Sequence, residues 1–381
     1  MKSIVQEALA KHQQTRPAGE DRKPEGPATP TLMSADDEEL AKLAEQLKVN
    51  IKIVGCGGGG SNTINRCVEE GIQGAEMVAL NTDAKHLVSI HSPRKILIGR
   101  RATKGLGAGA RPEIGEEAAR ENEEEIRGFL QNSNITFITA GMGGGTGTGS
   151  APVAARLSKE LGALTMGVTT LPFSAEGTLR MEAARDGLER LRRMCDTTIV
   201  IQNDKLLELA PRMPLDAAFK LADTVLMTAI KGITEIVTKP GLVNLDYADL
   251  LTVMKDGGVA LIGLGESEDT TDRVTEAVTE ALTSPLLGDV DLKDAHGALV
   301  RVVGGASMTV SEAQKAADLV KNRISKKARI IWGCTVDPSP EMENSIKVLL
   351  IITGVRAPNL LGSKSGGYAT GESEEAIDLV R

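Results

Sequence analysis

The sequence is poor in aromatic residues, has no paired cysteine motif and contains no long apolar run. Its 381 residues include four Phe, two Tyr and one Trp, too few to predict the base-stacking platforms of single-strand-binding proteins. The four cysteines are scattered, so neither a disulfide framework nor a zinc site is expected. No apolar run approaches the roughly 18 residues that span a bilayer, and the first residues lack the apolar stretch of a signal peptide. The composition predicts a cytoplasmic protein without direct membrane insertion.

An excess of positive charge is also missing. The chain has 44 Lys and Arg against 52 Asp and Glu, which gives a net charge of −8, and no basic cluster is evident. Because neutralising phosphates supplies most of the affinity for nucleic acid, nucleic acid is not an expected partner.

Short apolar runs rich in β-branched residues alternate with helical patterns from residue 51 onward. This alternation predicts an α/β fold with a Rossmann-like, mostly parallel sheet. A long apolar-faced helix is predicted over 215–238, and a second, smaller mixed α/β domain follows it. The predicted strands are 51–54, 77–81, 95–98, 135–139, 164–170 and 197–201, and then 259–263, 298–303, 329–335 and 347–353.

Three glycine-rich loops follow predicted strands, at 55–60, 103–109 and 141–149. Loops at the carboxyl ends of parallel strands meet at one crevice, and backbone amides without a Cβ can approach phosphate closely. The sequence therefore predicts a ligand that carries several phosphates. It contains no G-x-x-x-x-G-K-[ST] motif, so the phosphate charge would be met by amides, hydroxyls and a cation such as Mg²⁺.

One alternative is a nicotinamide-dependent oxidoreductase. Gly55–Gly60 fits G-x-G-x-x-G between a strand and a helix, and Asp83 lies a little over 20 residues downstream. This interpretation leaves the loop at 141–149 unexplained, and no His–carboxylate pair suggests itself for proton transfer.

GGGTGTGSAP (143–152) resembles the glycine signature of the tubulin/FtsZ superfamily, and further segments match FtsZ in order and spacing over residues 51–355. They are GCGGGGSNT (55–63), NTD (81–83), GLGAGARPEIG (105–115), LPFSAEG (171–177), QNDKLL (202–207), AAFKLAD (217–223) and NLDYADL (244–250). The chain resembles an archaeal FtsZ most, and the archaeal tubulin-like CetZ group is the nearest competitor. The resemblance implies a cell-division GTPase that polymerises head to tail into protofilaments and is found at a mid-cell division ring.

The resemblance also assigns residues to the nucleotide. It implies GTP or GDP as the bound nucleotide, with Mg²⁺ held mainly by phosphates and water. Two glycine loops would hold the phosphates, the loop at 105–109 would sense the γ-phosphate, and a carboxylate would accept hydrogen bonds from guanine N1–H and its 2-amino group. The implied GTP-binding residues are Gly57, Gly58, Gly59, Gly60, Ser61, Asn62, Asn81, Asp83, Gly105, Gly107, Ala108, Gly109, Gly143, Gly144, Gly145, Thr146, Gly147, Thr148, Gly149, Glu176, Arg180, Asn203, Phe219 and Asp223.

Some of these residues also fit simpler roles. Asn203 could cap a helix, Glu176 and Arg180 could form an i, i+4 surface ion pair, and Phe219 could belong to the core.

Asp246 and Asp249 are three residues apart at the predicted start of a helix, where carboxylates complement the helix dipole. In the family, the loop that contains them and Asn244 inserts into the nucleotide site of the next subunit. The resemblance therefore implies catalytic roles for Asn244, Asp246 and Asp249, and hydrolysis that depends on assembly. A noncatalytic GTP-binding scaffold is the remaining alternative.

The predicted organisation has five parts. Residues 1–50 form a partly disordered extension, 51–214 the GTP-binding domain, 215–239 the central helix, 240–355 the activating domain and 356–381 a flexible tail. The last six residues of the tail, 376–381, resemble a short peptide that could bind a membrane adaptor. The other expected partner is the protein itself, as a homopolymer.

Overall fold

The computed structural model describes residues 48–209, 214–239, 243, 245–268, 272–288 and 290–355. The predicted extension before residue 48, the predicted tail 356–381 and Asn244 lie outside the described residues.

Ten strands of the described residues form one sheet, in the order β3-β2-β1-β4-β5-β6-β7-β10-β8-β9. Every neighbouring pair is parallel except the two pairs that involve β10. All ten predicted strands are confirmed. They are β1 Ile51–Cys56, β2 Ala75–Asn81, β3 Arg94–Leu97, β4 Ile135–Gly141, β5 Leu164–Leu171, β6 Thr197–Gln202, β7 Gly258–Ser267, β8 Gly297–Gly304, β9 Arg329–Val336 and β10 Ile346–Thr353.

Strand β7 continues four residues beyond its predicted end at residue 263. Gly263 and Gly265 interrupt its apolar pattern, which hides the strand in the sequence. A Cβ at either position would lie within 2.2 Å of a carbonyl oxygen of the helix that packs on it, Ala281 O or Ala277 O. These glycines therefore permit close packing between a helix and a strand and do not end the strand.

Twelve α-helices connect and cover the strands in the described part of the chain. None of them is both long enough and apolar enough to cross a membrane. The helices are α1 Gly57–Glu69, α2 Ala84–Ser89, α3 Arg100–Thr103, α4 Pro112–Glu121, α5 Glu123–Leu130, α6 Thr146–Glu160, α7 Thr178–Met194, α8 Asn203–Leu209, α9 Leu215–Thr238, α10 Tyr247–Met254, α11 Arg273–Leu282 and α12 Val310–Lys321.

The sheet is buried on both faces, as its apolar strands require. Helix α9, the predicted central helix, packs Ile230 and Ile233 against one face, where Ile53 and Phe137 are fully buried. Helices α4 to α7, α11 and α12 cover the opposite face. The result is a three-layer α/β/α arrangement.

The smaller second set of strands continues the sheet of the first. Strand β7 pairs in parallel with β6 at Thr197↔Gly258 and the next two residues. Arg301 of β8 forms a buried ion pair with Glu235 of α9, and Lys239 pairs with the other oxygen of the same carboxylate. Burial opposes ionisation of Glu235, but the Lys239 hydrogen bond and the nearby Arg301 charge hold its pKa below the usual value. The central helix is thus tied to the second part of the sheet.

Strand order reverses between β1 and β4, which are neighbours in the sheet. In an open parallel sheet such a reversal leaves a crevice beyond the carboxyl ends of the two strands. Two of the three predicted glycine loops begin at these strand ends.

Candidate functional site

The first glycine loop becomes the start of a helix. Strand β1 ends at Cys56, and α1 begins at Gly57 with no side-chain cap and no acidic residue in its first turn. Gly57 has φ +69°, and a Cβ there would lie 2.5 Å from the backbone N of Gly147. The first amides of α1 therefore lack side-chain acceptors at a helix N-terminus, which attracts anions.

The second glycine loop repeats this arrangement after β4. Helix α6 begins at Thr146, again without a side-chain cap or an acidic first turn. Gly143 has φ +94°, and its N–H donates to Thr148 Oγ1 at 2.9 Å. A Cβ at Gly147 would lie 3.0 Å from Cys56 O and from Gly141 O. The two junctions therefore pack closely together and turn two helix N-termini toward one space.

That space is a cleft of about 390 Å³, here called the glycine cleft. Its lining includes predicted residues from both loops and from three later segments of the chain. The lining residues are Gly58, Gly59, Asn62, Gly141, Met142, Gly144, Gly145, Thr146, Gly147, Thr170, Pro172, Glu176, Arg180, Asn203, Phe219, Ala222 and Asp223.

Two glycines of the cleft have no steric role within the chain. A Cβ at Gly58 or Gly144 would meet no heavy atom within 4 Å. Packing within the chain therefore does not require glycine at these two positions. Its effect there is to leave the backbone uncovered where it faces the cleft. This geometry suits a ligand, such as a phosphate chain, that contacts the backbone directly.

The third glycine loop lies at the rim of the cleft. Gly105, Gly107 and Gly109 all have positive φ, and Gly107 N donates to Thr82 O. Ala108 reaches the second loop, because a Cβ at Gly145 would lie 2.9 Å from the Ala108 Cβ. The loop therefore packs against the second glycine loop without lining the cleft.

An aromatic pair and a buried amide form the other end of the cleft. Phe219 packs edge-to-face on Phe173 with ring centroids 5.0 Å apart, and it remains 38% exposed. Asn203 is 4% exposed, and its Oδ1 has no hydrogen-bond partner in the described structure. Such an orphaned acceptor favours a ligand that donates a hydrogen bond. Asn203 also begins helix α8, but its Oδ1 accepts no backbone N–H, so the simpler alternative of a helix-capping side chain is wrong.

Asp223 lies at the same end of the cleft as Phe219 and Asn203, and its pKa is strongly shifted. Burial raises its pKa from 3.8 to about 7, and the positive charge of Arg66 only partly offsets that effect. A desolvated carboxylate without a bound partner is destabilised in its charged form. Hydrogen-bond donors from a ligand would stabilise the charged form of Asp223 in place of the water that burial excludes.

Glu176 and Arg180 form the ion pair that their spacing predicts. Arg180 Nη1 lies 3.1 Å from Glu176 Oε2, and Glu176 Oε1 accepts from Phe173 N. Both side chains nevertheless line the cleft. The structure thus places them at the site and gives them a local structural role.

The remaining predicted binding residues do not line the cleft. Gly60 and Gly149 are packing positions, since a Cβ there would lie 2.3 Å from Thr139 O or 2.1 Å from Pro112 O. Asp83 caps α2 by accepting from His86 N, and the Asn81 amide contacts the same histidine ring. The other residues in this group are Gly57, Ser61, Gly105, Gly107, Ala108, Gly109, Gly143 and Thr148.

The lining also contains residues that the sequence analysis did not single out. Thr170 and Pro172 lie at the carboxyl end of β5, which is next to β4 in the sheet. The order of the strands therefore places them at the cleft. Ala222 lies three residues after Phe219 on α9, so helical spacing was the available signal. Gly141 and Met142 belong to the predicted glycine loop 141–149, although neither was among the individual binding residues.

Asp246 and Asp249 form a reciprocal capping box at the start of α10. Asp249 N donates to Asp246 Oδ1 at 2.7 Å, and Asp246 N donates to Asp249 Oδ2 at 3.4 Å. Both residues are exposed. The helix-terminal role that their spacing allows is therefore present, and one oxygen of each carboxylate stays outside the box.

The acidic pair and the glycine cleft lie near opposite ends of strand β4. Tyr247, next to Asp246, donates from its hydroxyl to Asn134 O at 3.0 Å, immediately before β4 begins. The cleft lies at Gly141, where β4 ends. Seven residues of strand separate these points, which corresponds to about 20 Å. The acidic pair of one subunit therefore cannot reach the cleft of the same subunit.

Comparisons with known proteins agree with this geometry. Residues 50–211 match the GTPase domain of the Tubulin/FtsZ family, and residues 258–356 match the C-terminal domain of the FtsZ family. The chain is 51% identical over 381 residues to "Cell division protein FtsZ 1" of Archaeoglobus fulgidus, covering 100% of both chains. It is 53% identical over 325 residues to the protein of that name from Methanocaldococcus jannaschii, covering 85% of this chain and 88% of the relative.

Solved structures show the same relationship. An "FtsZ dimer, empty" from M. jannaschii superposes with a TM-score of 0.80 at 53% identity, covering 84% of this chain and 92% of that one. The CetZ2 protofilament subunit of Haloferax volcanii superposes with a TM-score of 0.70 at 20% identity, over 81% of this chain and 94% of its own. The CetZ likeness shows a shared fold alone.

The fold and the glycine cleft therefore define a GTPase domain of the tubulin/FtsZ class. Within that class, the chain belongs to the FtsZ family. Identity of about half of all positions over the whole chain does not favour the CetZ or the oxidoreductase alternative.

Proposed function

We propose that this protein is a cell-division GTPase that polymerises head to tail and hydrolyses GTP at the contact between subunits. GTP occupies the glycine cleft with its phosphates against the N-termini of α1 and α6 and its guanine between Phe219, Asn203 and Asp223. The bare positions Gly58 and Gly144, the orphaned Asn203 oxygen and the raised pKa of Asp223 support this placement.

The observation that carries the proposal is that about 20 Å of strand β4 lies between the cleft at Gly141 and the Tyr247–Asn134 contact beside the acidic pair. A contact that joins the cleft of one subunit to α10 of the next repeats without closing and generates a filament. Each filament contact then brings Asp246 and Asp249 to a neighbour's GTP. The dimeric FtsZ structure from M. jannaschii supports self-association in the family.

Phosphoryl transfer to water depends mainly on placing the water and stabilising charge. The oxygens of Asp246 and Asp249 that lie outside the capping box are free to accept hydrogen bonds from a water. Asn244, which precedes them, is proposed as a third polar group of the same loop. Hydrolysis thus requires assembly, because the water-positioning groups come from a different subunit.

Mg²⁺ is proposed as the cation that accompanies the phosphates. No group of three or more metal-ligating side chains occurs among the described residues. The ion would therefore be bound mainly through phosphate oxygens and water, which suits its preference. When bound, it supplies charge neutralisation at the phosphates.

The cellular setting follows from the same proposal. The relatives are cell-division proteins by name, and we propose a cytoplasmic filament at a mid-cell division ring. The tail at 356–381 is the proposed site for a membrane adaptor.

Phosphate release and pelleting across a range of protein concentrations test the proposal. With GTP, we expect turnover per molecule to be near zero below a threshold concentration and to rise above it together with pelleted polymer. A slowly hydrolysed GTP analogue should give polymer without phosphate. Polymer that forms with GTP but releases no phosphate would identify the protein as a noncatalytic scaffold, and constant turnover per molecule on dilution would contradict hydrolysis between subunits.

A further inference from the structure

A second cavity lies far from the glycine cleft, beside the edge strand β9. It has a volume of about 950 Å³, and its wall contains four cationic residues, Lys293, Lys321, Arg323 and Lys326. Its apolar wall includes Ile330 and Trp332, both partly buried. We call this cavity the β9 groove. The sequence expectation that the chain has no basic cluster is wrong for this face.

The described residues do not pair with the cations of the β9 groove. All four are exposed, and none forms an ion pair with a described residue. Asp318 is the acidic side chain among the residues that line the groove. In a chain of net charge −8, such a concentration of positive charge beside a partly buried apolar wall favours a partner that is acidic and apolar together.

The described chain ends close to this groove. Thr353, near the end of β10, pairs with Gly297 of β8, and Gly297 pairs with Arg329 at the start of β9. Adjacent strands are about 4.8 Å apart, so Thr353 lies about 10 Å from Arg329. Ala328 and Ile330, on either side of Arg329, line the groove. The described part of the chain therefore ends, at Val355, next to the groove.

A segment of the following sequence has the matching chemistry. Residues 372–380 read ESEEAIDLV, with four acidic residues and three large apolar residues. Residues 356–371 contain two basic residues and no acidic one, so the negative charge is confined to the last part of the tail. A random-coil chain of about 16 residues would have a root-mean-square span of roughly 22 Å, which is sufficient to reach a groove that begins about 10 Å from Thr353.

We propose that residues 372–380 bind in the β9 groove of their own subunit, with their carboxylates against the four cations and Ile377, Leu379 and Val380 against Ile330 and Trp332. The short spacer raises the effective concentration of the segment to the millimolar range. A weak contact is then enough for substantial occupancy. This proposal concerns a surface apart from the glycine cleft and does not depend on GTP hydrolysis.

Trp332 provides a direct probe, because it is the chain's single tryptophan and lines the groove. A chain truncated after residue 371 is titrated with a peptide of residues 371–381 while Trp332 emission is recorded, without nucleotide. We expect a saturable emission change that weakens at high salt. The full chain should bind the added peptide at least tenfold more weakly, because its own tail occupies the groove.

Charge reversal in the groove is the decisive variant. Lys321→Glu with Lys326→Glu should weaken peptide binding at least tenfold. The matched control, Lys95→Glu with Arg185→Glu, makes the same charge change at exposed positions elsewhere and should alter binding less than twofold. If the reversal unfolds the protein, Lys321→Gln with Lys326→Gln replaces it and should still weaken binding severalfold. Equal binding by groove and control variants would overturn the proposal, as would tighter binding of a short single-stranded DNA than of the peptide.

Cross-linking in the full chain tests whether the contact is within one subunit. All four native cysteines are buried, and burial raises the pKa of the Cys56, Cys67 and Cys195 thiols to about 12, so introduced cysteines react selectively. Lys326→Cys with Ile377→Cys should form an intramolecular disulfide whose yield does not change on dilution. Lys95→Cys with Ile377→Cys is the control pair. A cross-link that forms only between two chains, or equally in the control pair, would contradict binding in the same subunit.

Discussion

With the proposed guanine contact, the single buried carboxylate of Asp223 would link base recognition to pH. Burial raises its pKa to about 7, so near neutral pH the cleft holds a mixture of charged and uncharged forms. Only the charged form can accept from both donors of guanine. Over the interval from pH 3.8 to about 7 the folded chain binds this proton more tightly than the unfolded chain, so the residue's contribution to the free energy of unfolding falls as pH rises.

GTP affinity should therefore depend on pH through Asp223. Between pH 7.5 and pH 6 the charged fraction falls about eightfold, and the affinity of the monomer should fall by a similar factor. Asp223→Asn should bind GTP roughly tenfold to a hundredfold more weakly and lose this part of the pH dependence. Asp186→Asn, an exposed substitution on α7, is the control. GTP titrations at both pH values measure the effect, and unchanged affinity in Asp223→Asn would remove this residue from the guanine site.

Adjacent glycines of the first loop should respond oppositely to alanine. Gly57→Ala places a side chain at φ +69° and 2.5 Å from Gly147 N, so it should lower the free energy of unfolding by more than about 1 kcal/mol. Gly58→Ala meets open space and should leave stability unchanged or slightly higher, while it weakens GTP binding. Denaturant unfolding and GTP titration separate the two. Tight GTP binding by Gly58→Ala would show that phosphates do not contact this position.

At the scale of the element, the carboxylates of Asp246 and Asp249 have a structural role at the start of helix α10 and a proposed chemical role in hydrolysis. The capping box satisfies backbone N–H groups at the helix start, and this explains the acidic pair without any substrate. The proposed role in hydrolysis therefore needs a substitution that preserves the cap.

Asp246→Asn is such a substitution, because Asn caps helices about as well as Asp. We expect it to keep the melting temperature and to lose most GTP turnover. Asp246→Ala should lose turnover and also about 1 kcal/mol of stability. Thermal unfolding and phosphate release at a concentration that gives full assembly distinguish these outcomes. Normal turnover in Asp246→Asn would restrict the residue to capping.

The elements themselves were largely predictable, because β-branched runs between glycine loops specify strands in a parallel sheet. Strand β7 exceeded its prediction since Gly263 and Gly265 serve helix packing, a tertiary requirement that local pattern does not contain. The same limit applies to the site. The sequence predicts that both glycine loops meet at one cleft. It does not distinguish Gly58, which faces the cleft, from Gly60, which packs on β4.

At the scale of the whole molecule, the continuous sheet separates two chemical groups that the proposed reaction needs together. The cleft lies at the carboxyl ends of β1 and β4, and the acidic pair lies beyond the amino end of β4. Sequence spacing could not reveal this separation, because it depends on where α10 docks. In the proposed mechanism, this separation along a strand about 20 Å long would make the activity a property of the filament and not of the subunit.

Mixing two inactive variants tests this claim most directly. Gly144→Arg fills the cleft without meeting the backbone, so it should fail to bind GTP and keep its acidic pair. Asp249→Asn should bind GTP and co-assemble, but a filament of this variant alone should not hydrolyse GTP, because every neighbouring subunit lacks the Asp249 carboxylate. Phosphate release is measured for each variant alone and for the equimolar mixture, with both shown to be folded and to co-pellet. The proposal predicts little release from either variant and clear release from the mixture, and co-assembly without recovery of hydrolysis would contradict it.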